Sequence, residues 1–141
     1  MNPSEFLTVA QNLYPSMSEA ERRTSIGRSY YALYNQLVMA LSKEGVQFDG
    51  VDSHARLVYY LSQCSPQKAP TIGADLKTLR NYRNDADYEM GKSIGKGESE
   101  FAYKKAHAAV QKFAGLNKSD VTKIADCIRY LPPFNSPRRR P

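Results

Sequence analysis

Arg83 is the residue of this sequence whose position most needs a chemical explanation. The segment LKTLRNYRNDADYEMG has the pattern of a helix, and Leu76, Leu79 and Ala86 recur beside Arg83 at steps of three and four residues. A guanidinium group is therefore predicted on an otherwise apolar stripe. Such a group binds a phosphate or a carboxylate through a planar pair of N–H donors. The alternative is local, because Asp87 lies four residues further along the same helix and can satisfy the charge.

Two more arginines and a group of tyrosines are candidates for the same surface. Arg80 lies one turn before Arg83, and Arg28 lies on the long central helix predicted below. If these two helices pack side by side, the three arginines form a basic cleft. Tyr30, Tyr31 and Tyr34 form an aromatic cluster that can stack on the bases of a single strand, with Tyr31 as the candidate for nucleic-acid binding. For the tyrosines, packing in the core or at a dimer contact is the interpretation that we favour, and each arginine taken alone is expected to be solvated.

The C-terminal segment PPFNSPRRRP carries three positive charges, on Arg138, Arg139 and Arg140. We expect residues 132–141 to be a disordered tail, because its prolines stop the preceding helix and no apolar pattern follows. A flexible basic segment gains affinity for nucleic acid by releasing counterions. Contact with RNA, DNA or an acidic partner is one hypothesis for this tail, and a solvated tail without a partner is the other.

The composition excludes several classes of protein. The chain has 141 residues, of which 41% are hydrophobic and 24% charged, which is typical of one soluble globular domain. No apolar run is long enough to cross a bilayer, and the opening MNPSEF lacks the basic and apolar regions of a signal peptide. We therefore expect a cytoplasmic protein without membrane contact. Its net charge of +6 permits binding to phosphates.

Residues that commonly hold metals are few. Cys64 and Cys127 lie far apart on predicted helices, so we predict buried thiols rather than a disulfide or a zinc site. His54 and His107 are predicted at the surface or at helix ends, and His54 is the one that can approach Arg83 in three dimensions. The segment GKSIGKG has no preceding strand and is predicted to be a solvated loop. We expect no metal and no cofactor.

Capping residues, prolines and glycines divide the chain into five or six predicted helices. Asn2 and Pro3 begin the first helix, and Ser18 with Glu21 forms a capping box for a long central helix that ends at Gly45. The later helices are predicted to begin at residue 52 or 53, near residue 71, after a glycine-rich loop that extends to Gly97, and at residue 119. Their short connections favour an all-α, up-and-down antiparallel bundle, with residues 1–131 forming a single domain.

Two of these segments resemble a known family. IGRSYYALYNQLVMALSKEG on the central helix and LKTLRNYRNDADYEMG on the fourth are similar to the two signature helices of HEPN domains, and the resemblance extends over nearly the whole chain. HEPN domains are helical bundles that usually form two-fold dimers. Many are metal-independent ribonucleases that act as toxins, antiviral effectors or RNA-processing enzymes. Their active motif is an arginine, commonly followed by a polar residue, with a histidine four to six residues beyond the arginine.

The resemblance implies that Arg83, Asn84 and Tyr88 occupy the catalytic motif, with Tyr88 in place of the histidine. Cleavage of RNA without a metal needs a group that takes the proton of the ribose 2′-hydroxyl, which an imidazole does well near neutral pH. A tyrosine with its usual pKa of about 10 holds little phenolate there. Losing a general acid–base group lowers the rate by about 10²–10⁴. The sequence therefore does not decide whether this chain cleaves RNA by the metal-independent mechanism of HEPN ribonucleases.

Two functions are compatible with this reading. The first, which we favour, is a homodimeric protein of a bacterial toxin–antitoxin or antiphage defence system that binds or cleaves RNA at its dimer interface. The second is a non-catalytic HEPN module that dimerises or docks a partner such as a nucleotidyltransferase. The absent histidine favours the second, whereas the Arg-Asn pair and the basic charge favour the first. An adaptor unrelated to HEPN domains would require both signature segments to be coincidental.

Overall fold

The computed structural model describes residues 1–66 and 68–134, and these residues form six α-helices without a β-strand. The helices are α1 (Ser4–Leu13), α2 (Glu19–Lys43), α3 (Ser53–Gln63), α4 (Ala69–Tyr88), α5 (Lys96–Ala114) and α6 (Lys118–Tyr130). The predicted all-α helical bundle is confirmed. Each helix in this part of the chain is too short or too polar to cross a bilayer. Arg138, Arg139 and Arg140 lie outside the described residues.

The central helix of the bundle is α2, which packs against α1, α4 and α5. Ser18 caps it, and the Ser18 hydroxyl accepts a hydrogen bond of 3.3 Å from the backbone N–H of Glu21. One face of α2 is completely buried and carries Ile26, Tyr30, Leu33, Leu37 and Leu41. Their spacing of three and four residues keeps the apolar side chains on one face. Burial of this face is what holds the three neighbouring helices together.

Gly73 allows α3 and α4 to approach closely as an antiparallel pair. A Cβ at Gly73 would lie 2.9 Å from the Cβ of Leu61. Because the two helices run in opposite directions, the residue seven before Leu61 lies opposite the residue seven after Gly73. These residues are His54 and Arg80. The Leu61–Gly73 contact therefore sets the register that brings His54 against the second half of α4.

Two arginines at the start of α2 fix the segment that joins α4 to α5. Arg22 donates hydrogen bonds to three carbonyl oxygens, those of Ser16, Met17 and Ile94. Arg23 donates to four carbonyl oxygens at the end of α4 and just beyond it, those of Asp85, Ala86, Glu89 and Lys92. Glu19 accepts from Arg23 at 3.1 Å and from the N–H of Ile94 at 3.0 Å. The C-terminal end of α4 is thereby held in place.

Cys64 and Cys127 form a disulfide bond, so the prediction of two buried thiols is wrong. Cys64 directly follows α3 and Cys127 lies on α6, and their Cα atoms are 5.9 Å apart. This separation is usual for a disulfide. Phe134, within the predicted tail, also lies against α3, because its ring is 5.2 Å from that of Tyr59. The C-terminal part of the described chain is thus attached to α3 by both a covalent bond and an aromatic contact.

Candidate functional site

Arg83 lies at the contact between α2 and α4, and its side chain is only 17% exposed. Its Cζ atom lies 5.3 Å from the ring centroid of Tyr31 and 6.0 Å from that of Tyr30. Aromatic faces carry partial negative charge and attract a guanidinium group. An arginine is therefore accommodated on the apolar stripe of α4 because the opposing side chains of α2 are aromatic.

Side chains of α4 itself hold the guanidinium group of Arg83. The Nε atom donates to Asp87 Oδ2 at 2.9 Å, which confirms the local pairing weighed from the sequence. The Nη1 atom donates to Asn84 Oδ1 at 3.3 Å, and Nη2 donates to the Tyr88 hydroxyl at 3.4 Å. The last two hydrogen bonds are long and therefore weak. Arg83 therefore contacts both other motif positions, Asn84 and Tyr88, as well as Asp87.

Arg28 and Arg80 extend the positive charge around Arg83. The Cζ atom of Arg28 lies 5.0 Å from the ring centroid of Phe6 and 5.8 Å from that of Tyr31, so Tyr31 contacts two arginines. The Nε atom of Arg28 is buried and has no hydrogen-bond partner among the described residues. Arg80 is half-buried and, within residues 1–66 and 68–134, forms no salt bridge. The local charge is therefore strongly positive.

His54, the second residue of α3, lies beside these arginines. Its ring stacks on Tyr34 with centroids 4.1 Å apart and an interplanar angle of 5°, and its Nδ1 atom hydrogen-bonds to the Tyr30 hydroxyl. Burial, followed by the charges of Arg83 and Arg80, lowers the pKa of His54 below its ordinary 6.5. His54 lies at a helix end as predicted, but it is half-buried among aromatic rings and neutral at pH 7.

The Tyr30 hydroxyl remains protonated in this position. Burial raises the pKa of Tyr30 well above its ordinary value of 10, and the charges of Arg80 and Arg83 only partly oppose this effect. Tyr30 is fully buried, and its ring lies 5.8 Å from that of Tyr34 and 5.1 Å from that of Tyr31. The interpretation of Tyr30 and Tyr34 as core residues is confirmed. Tyr31 is half-buried and keeps a surface that a ligand can reach.

We name this group of side chains the Arg83 cluster. Its members are Arg28, Tyr30, Tyr31, Tyr34, His54, Arg80, Arg83, Asn84, Asp87 and Tyr88. It unites every site residue that we predicted within the described part of the chain. Sequence reasoning allowed His54 to approach Arg83, as it does here, but assigned it no role. It missed Arg23, which fixes the end of α4. His54 lies seven residues before Leu61, and Arg80 lies seven residues after Gly73. These equal separations indicate that His54 lies opposite Arg80, but only when α3 and α4 are aligned as an antiparallel pair at Leu61 and Gly73.

The Arg83 cluster reaches from the core of the bundle to its surface. Tyr30 and Tyr34 are buried, Arg83 is 17% exposed and Tyr88 is 66% exposed. Four grooves of about 240 to 450 Å³ lie elsewhere on the described part of the chain and are lined by other residues. Basic surfaces with aromatic side chains are typical of sites for single-stranded nucleic acid. The exposed part of the cluster has this basic and aromatic composition.

No protein-family model, curated protein or solved structure matches this chain. The resemblance to HEPN domains therefore rests on the residues of α2 and α4. Any functional conclusion has to come from the geometry of the Arg83 cluster.

Proposed function

We propose that this chain binds single-stranded RNA through the Arg83 cluster, as a HEPN-type protein of a bacterial toxin–antitoxin or antiphage defence system. The observation that carries the proposal is the unbalanced charge of three partly buried arginines. Among the described residues, Arg83 has one partly exposed carboxylate partner, Asp87, while Arg28 and Arg80 have none. Partly buried charges are costly when unpaired, and a phosphodiester would supply the missing negative charge.

The aromatic members of the cluster favour a single strand over a duplex. Tyr88 is 66% exposed, and its ring centroid lies 5.4 Å from the Cζ atom of Arg83. Tyr31 is half-buried, and its ring centroid lies 5.3 Å from the Cζ atom of the same arginine. Bases of a single strand are free to stack on such rings, whereas bases of a duplex already stack on one another. We therefore propose that Arg83 binds a phosphate while the rings of Tyr31 and Tyr88 stack on neighbouring bases.

Fluorescence anisotropy with a labelled single-stranded RNA of about 20 nucleotides tests this proposal. We expect Arg83→Ala to weaken binding at least about tenfold, because a charge-assisted pair of hydrogen bonds is lost. Arg129→Ala is the matched control, since it removes the same charge from α6, where Arg129 pairs with Asp126. We expect that control to bind within about twofold of the parent. Equal losses in both variants would overturn the assignment of the site.

The resemblance also implies a two-fold dimer, which we include in the proposal. In it, Arg83, Asn84 and Tyr88 of the two copies would face each other across the axis. Tyr88, within the cluster, is 66% exposed, and Met90, two residues further along the chain, is 68% exposed. Exposed apolar side chains at this place support a contact there. Light scattering at several concentrations measures the mass. A monomeric mass at the highest concentration would contradict the dimer.

The exposed apolar residues also favour the second candidate, a non-catalytic module that docks a protein such as a nucleotidyltransferase. Tyr88 and Met90 resemble the aromatic and methionine side chains enriched at protein interfaces. This candidate predicts that Arg83→Ala leaves RNA binding unchanged. It also predicts that Tyr88→Ala weakens the complex with a co-purified partner, an effect that the RNA-binding proposal does not require.

We also propose a cytoplasmic location, and the disulfide provides its test. Cys64 and Cys127 are bonded in the structure, whereas thiols in a reducing cytoplasm usually stay reduced. Rapid alkylation of the protein in intact cells, followed by mass measurement, counts the free thiols. Two alkylated cysteines would agree with a cytoplasmic chain, and none would place the protein in an oxidising compartment.

A further inference from the structure

We infer that His54 is a proton-transfer group, and that this chain cleaves the RNA it binds although Tyr88 stands where the motif histidine is expected. The inference rests on the proposed RNA binding at the Arg83 cluster. It assigns to α3 a chemical role that the signature segments on α2 and α4 do not include.

The imidazole of His54 is held on one face and at one edge. Tyr34 stacks on the ring at 4.1 Å, and the Tyr30 hydroxyl hydrogen-bonds to Nδ1. A ring fixed in both ways keeps one orientation, which proton transfer requires. Tyr30 and Tyr31 contact His54 at 5.6 and 5.9 Å between ring centroids, and the same two rings contact Arg83. His54 and Arg83 therefore contact the same two aromatic rings.

The positive charges around His54 favour its neutral form, and only the neutral imidazole can accept a proton. The groups that face it are Arg80 and Arg83 from α4, and Tyr30, Tyr31 and Tyr34 from α2. None of these groups is a carboxylate that would stabilise the imidazolium. The Tyr30 hydroxyl can accept a hydrogen bond from Nδ1–H, which leaves the lone pair on Nε2. The neutral imidazole then presents a base at its free edge.

The reaction is a transesterification in which the ribose 2′-oxygen attacks the adjacent phosphorus. Nε2 of His54 takes the 2′-hydroxyl proton, the new O2′–P bond forms and the P–O5′ bond breaks. The leaving O5′ takes a proton from water, and the resulting hydroxide accepts the proton held by the imidazolium, so His54 returns to its neutral form. The products are a 2′,3′-cyclic phosphate and a 5′-hydroxyl end. Arg83 stabilises the negative charge on the phosphoryl oxygens.

The test measures cleavage of a labelled single-stranded RNA by the full chain with a chelator present, beside His54→Asn, His107→Asn and Arg83→Ala prepared in the same way. Asparagine keeps a polar group near the Tyr30 hydroxyl but cannot transfer the proton. His107 is exposed on α5 and is the matched control. We expect His54→Asn to lower the rate by about 10²-fold or more and His107→Asn to leave it unchanged. The cleaved ends should carry the cyclic phosphate.

Binding is measured separately with the same RNA in its 2′-O-methyl form, which cannot react. If the parent binds this RNA but does not cleave the reactive one, the inference about His54 is wrong and the proposed RNA binding stands. If the parent neither binds nor cleaves, both are wrong. Equal cleavage by the parent and a folded His54→Asn would also overturn the role of His54. Circular dichroism establishes that each variant is folded.

A second variant addresses the orientation of the imidazole without removing it. Tyr30→Phe deletes the hydroxyl that bonds to Nδ1 and keeps the ring in the core. We expect a slower reaction with unchanged binding of the 2′-O-methyl RNA. The parent rate should rise with pH through the pKa of His54, which lies below 6.5. Tyr30→Phe should shift this rise, whereas a merely structural role of Tyr30 would leave its position unchanged.

Discussion

Arg23 and Arg83 both lie between α2 and α4, with side chains that are 13% and 17% exposed, yet their guanidinium groups are satisfied very differently. A guanidinium has five N–H donors. Those of Arg23 are all used, on Glu19 and on four backbone carbonyls near the end of α4. Arg83 makes three hydrogen bonds among the described residues, one from each nitrogen, so two N–H groups remain for a ligand.

This difference separates a structural arginine from one that can bind. The last carbonyls of a helix have no partner within it and carry partial negative charge, so Arg23 acts as a fixed cap for α4. Arg83 contacts only side chains, which can move when a phosphate arrives. Two similarly buried arginines therefore differ in their ability to bind a ligand. The difference comes from their hydrogen-bond acceptors, which are mainly backbone carbonyls for Arg23 and side chains for Arg83.

The largest effect that we predict is on stability, from Arg23→Met. This substitution removes the Arg23 donor from four carbonyl oxygens and from Glu19. The carbonyls of Asp85 and Glu89 and the Glu19 carboxylate keep a backbone N–H donor, whereas the carbonyls of Ala86 and Lys92 keep none among the described residues. We expect the free energy of unfolding to fall by about 3 kcal/mol, because several hydrogen bonds to a charged group are lost at once and two carbonyl oxygens are left unpaired. Urea unfolding followed by circular dichroism measures the change. A loss below about 1 kcal/mol would contradict a structural role for Arg23.

The next largest effect tests the register that gives Arg83 its neighbours. A Cβ at Gly73 would overlap the Cβ of Leu61, so we expect Gly73→Ala to cost about 2 kcal/mol. Gly27→Ala is the matched control, because its Cβ would lie 3.9 Å from Asp87 Oδ1, an ordinary contact. We expect that control to stabilise α2 by about 0.5 kcal/mol. Urea midpoints of the two variants should therefore move in opposite directions.

A smaller effect on stability is expected from Arg83→Met. The pair with Asp87 is partly exposed and lies within one helix, so its loss should change the free energy of unfolding by less than about 1 kcal/mol. The dependence of RNA affinity on salt should nevertheless become shallower, by a slope of about 0.7 for one lost phosphate contact. Titrations at several salt concentrations measure that slope. A destabilisation equal to that of Arg23→Met would remove the contrast between the two arginines.

The smallest effect concerns Glu19, the carboxylate partner of Arg23. The hydrogen bond from the N–H of Ile94, and then the one from Arg23, lower the pKa of Glu19 below its ordinary 4.5. A carboxyl group with a lowered pKa stabilises the fold above pH 4.5, and this contribution is lost as the pH falls through the folded-state value. Glu19→Gln should flatten the decline in stability over that window. Thermal unfolding between about pH 3 and 6 measures the slope.

The fold was predictable because α2 and α4 carry strong local signals. The spacing from Ile26 to Leu41 and the Ser18 cap determine one helix, and the contact between Arg83 and Asp87 follows from their separation by four residues. His54 and the bond between the cysteines were not predictable in the same way. Their contact partners lie on other helices of the bundle. A shift of α3 by one residue along α4 would give His54 different neighbours.

The bond between Cys64 and Cys127 also makes a covalent ring that contains all of α4 and α5. A protease that cuts once within this ring opens it without releasing a fragment, so the two pieces migrate together on a gel until a reductant is added. Part of the Arg83 cluster is thereby kept on the same molecule as α2 even after the chain has been nicked.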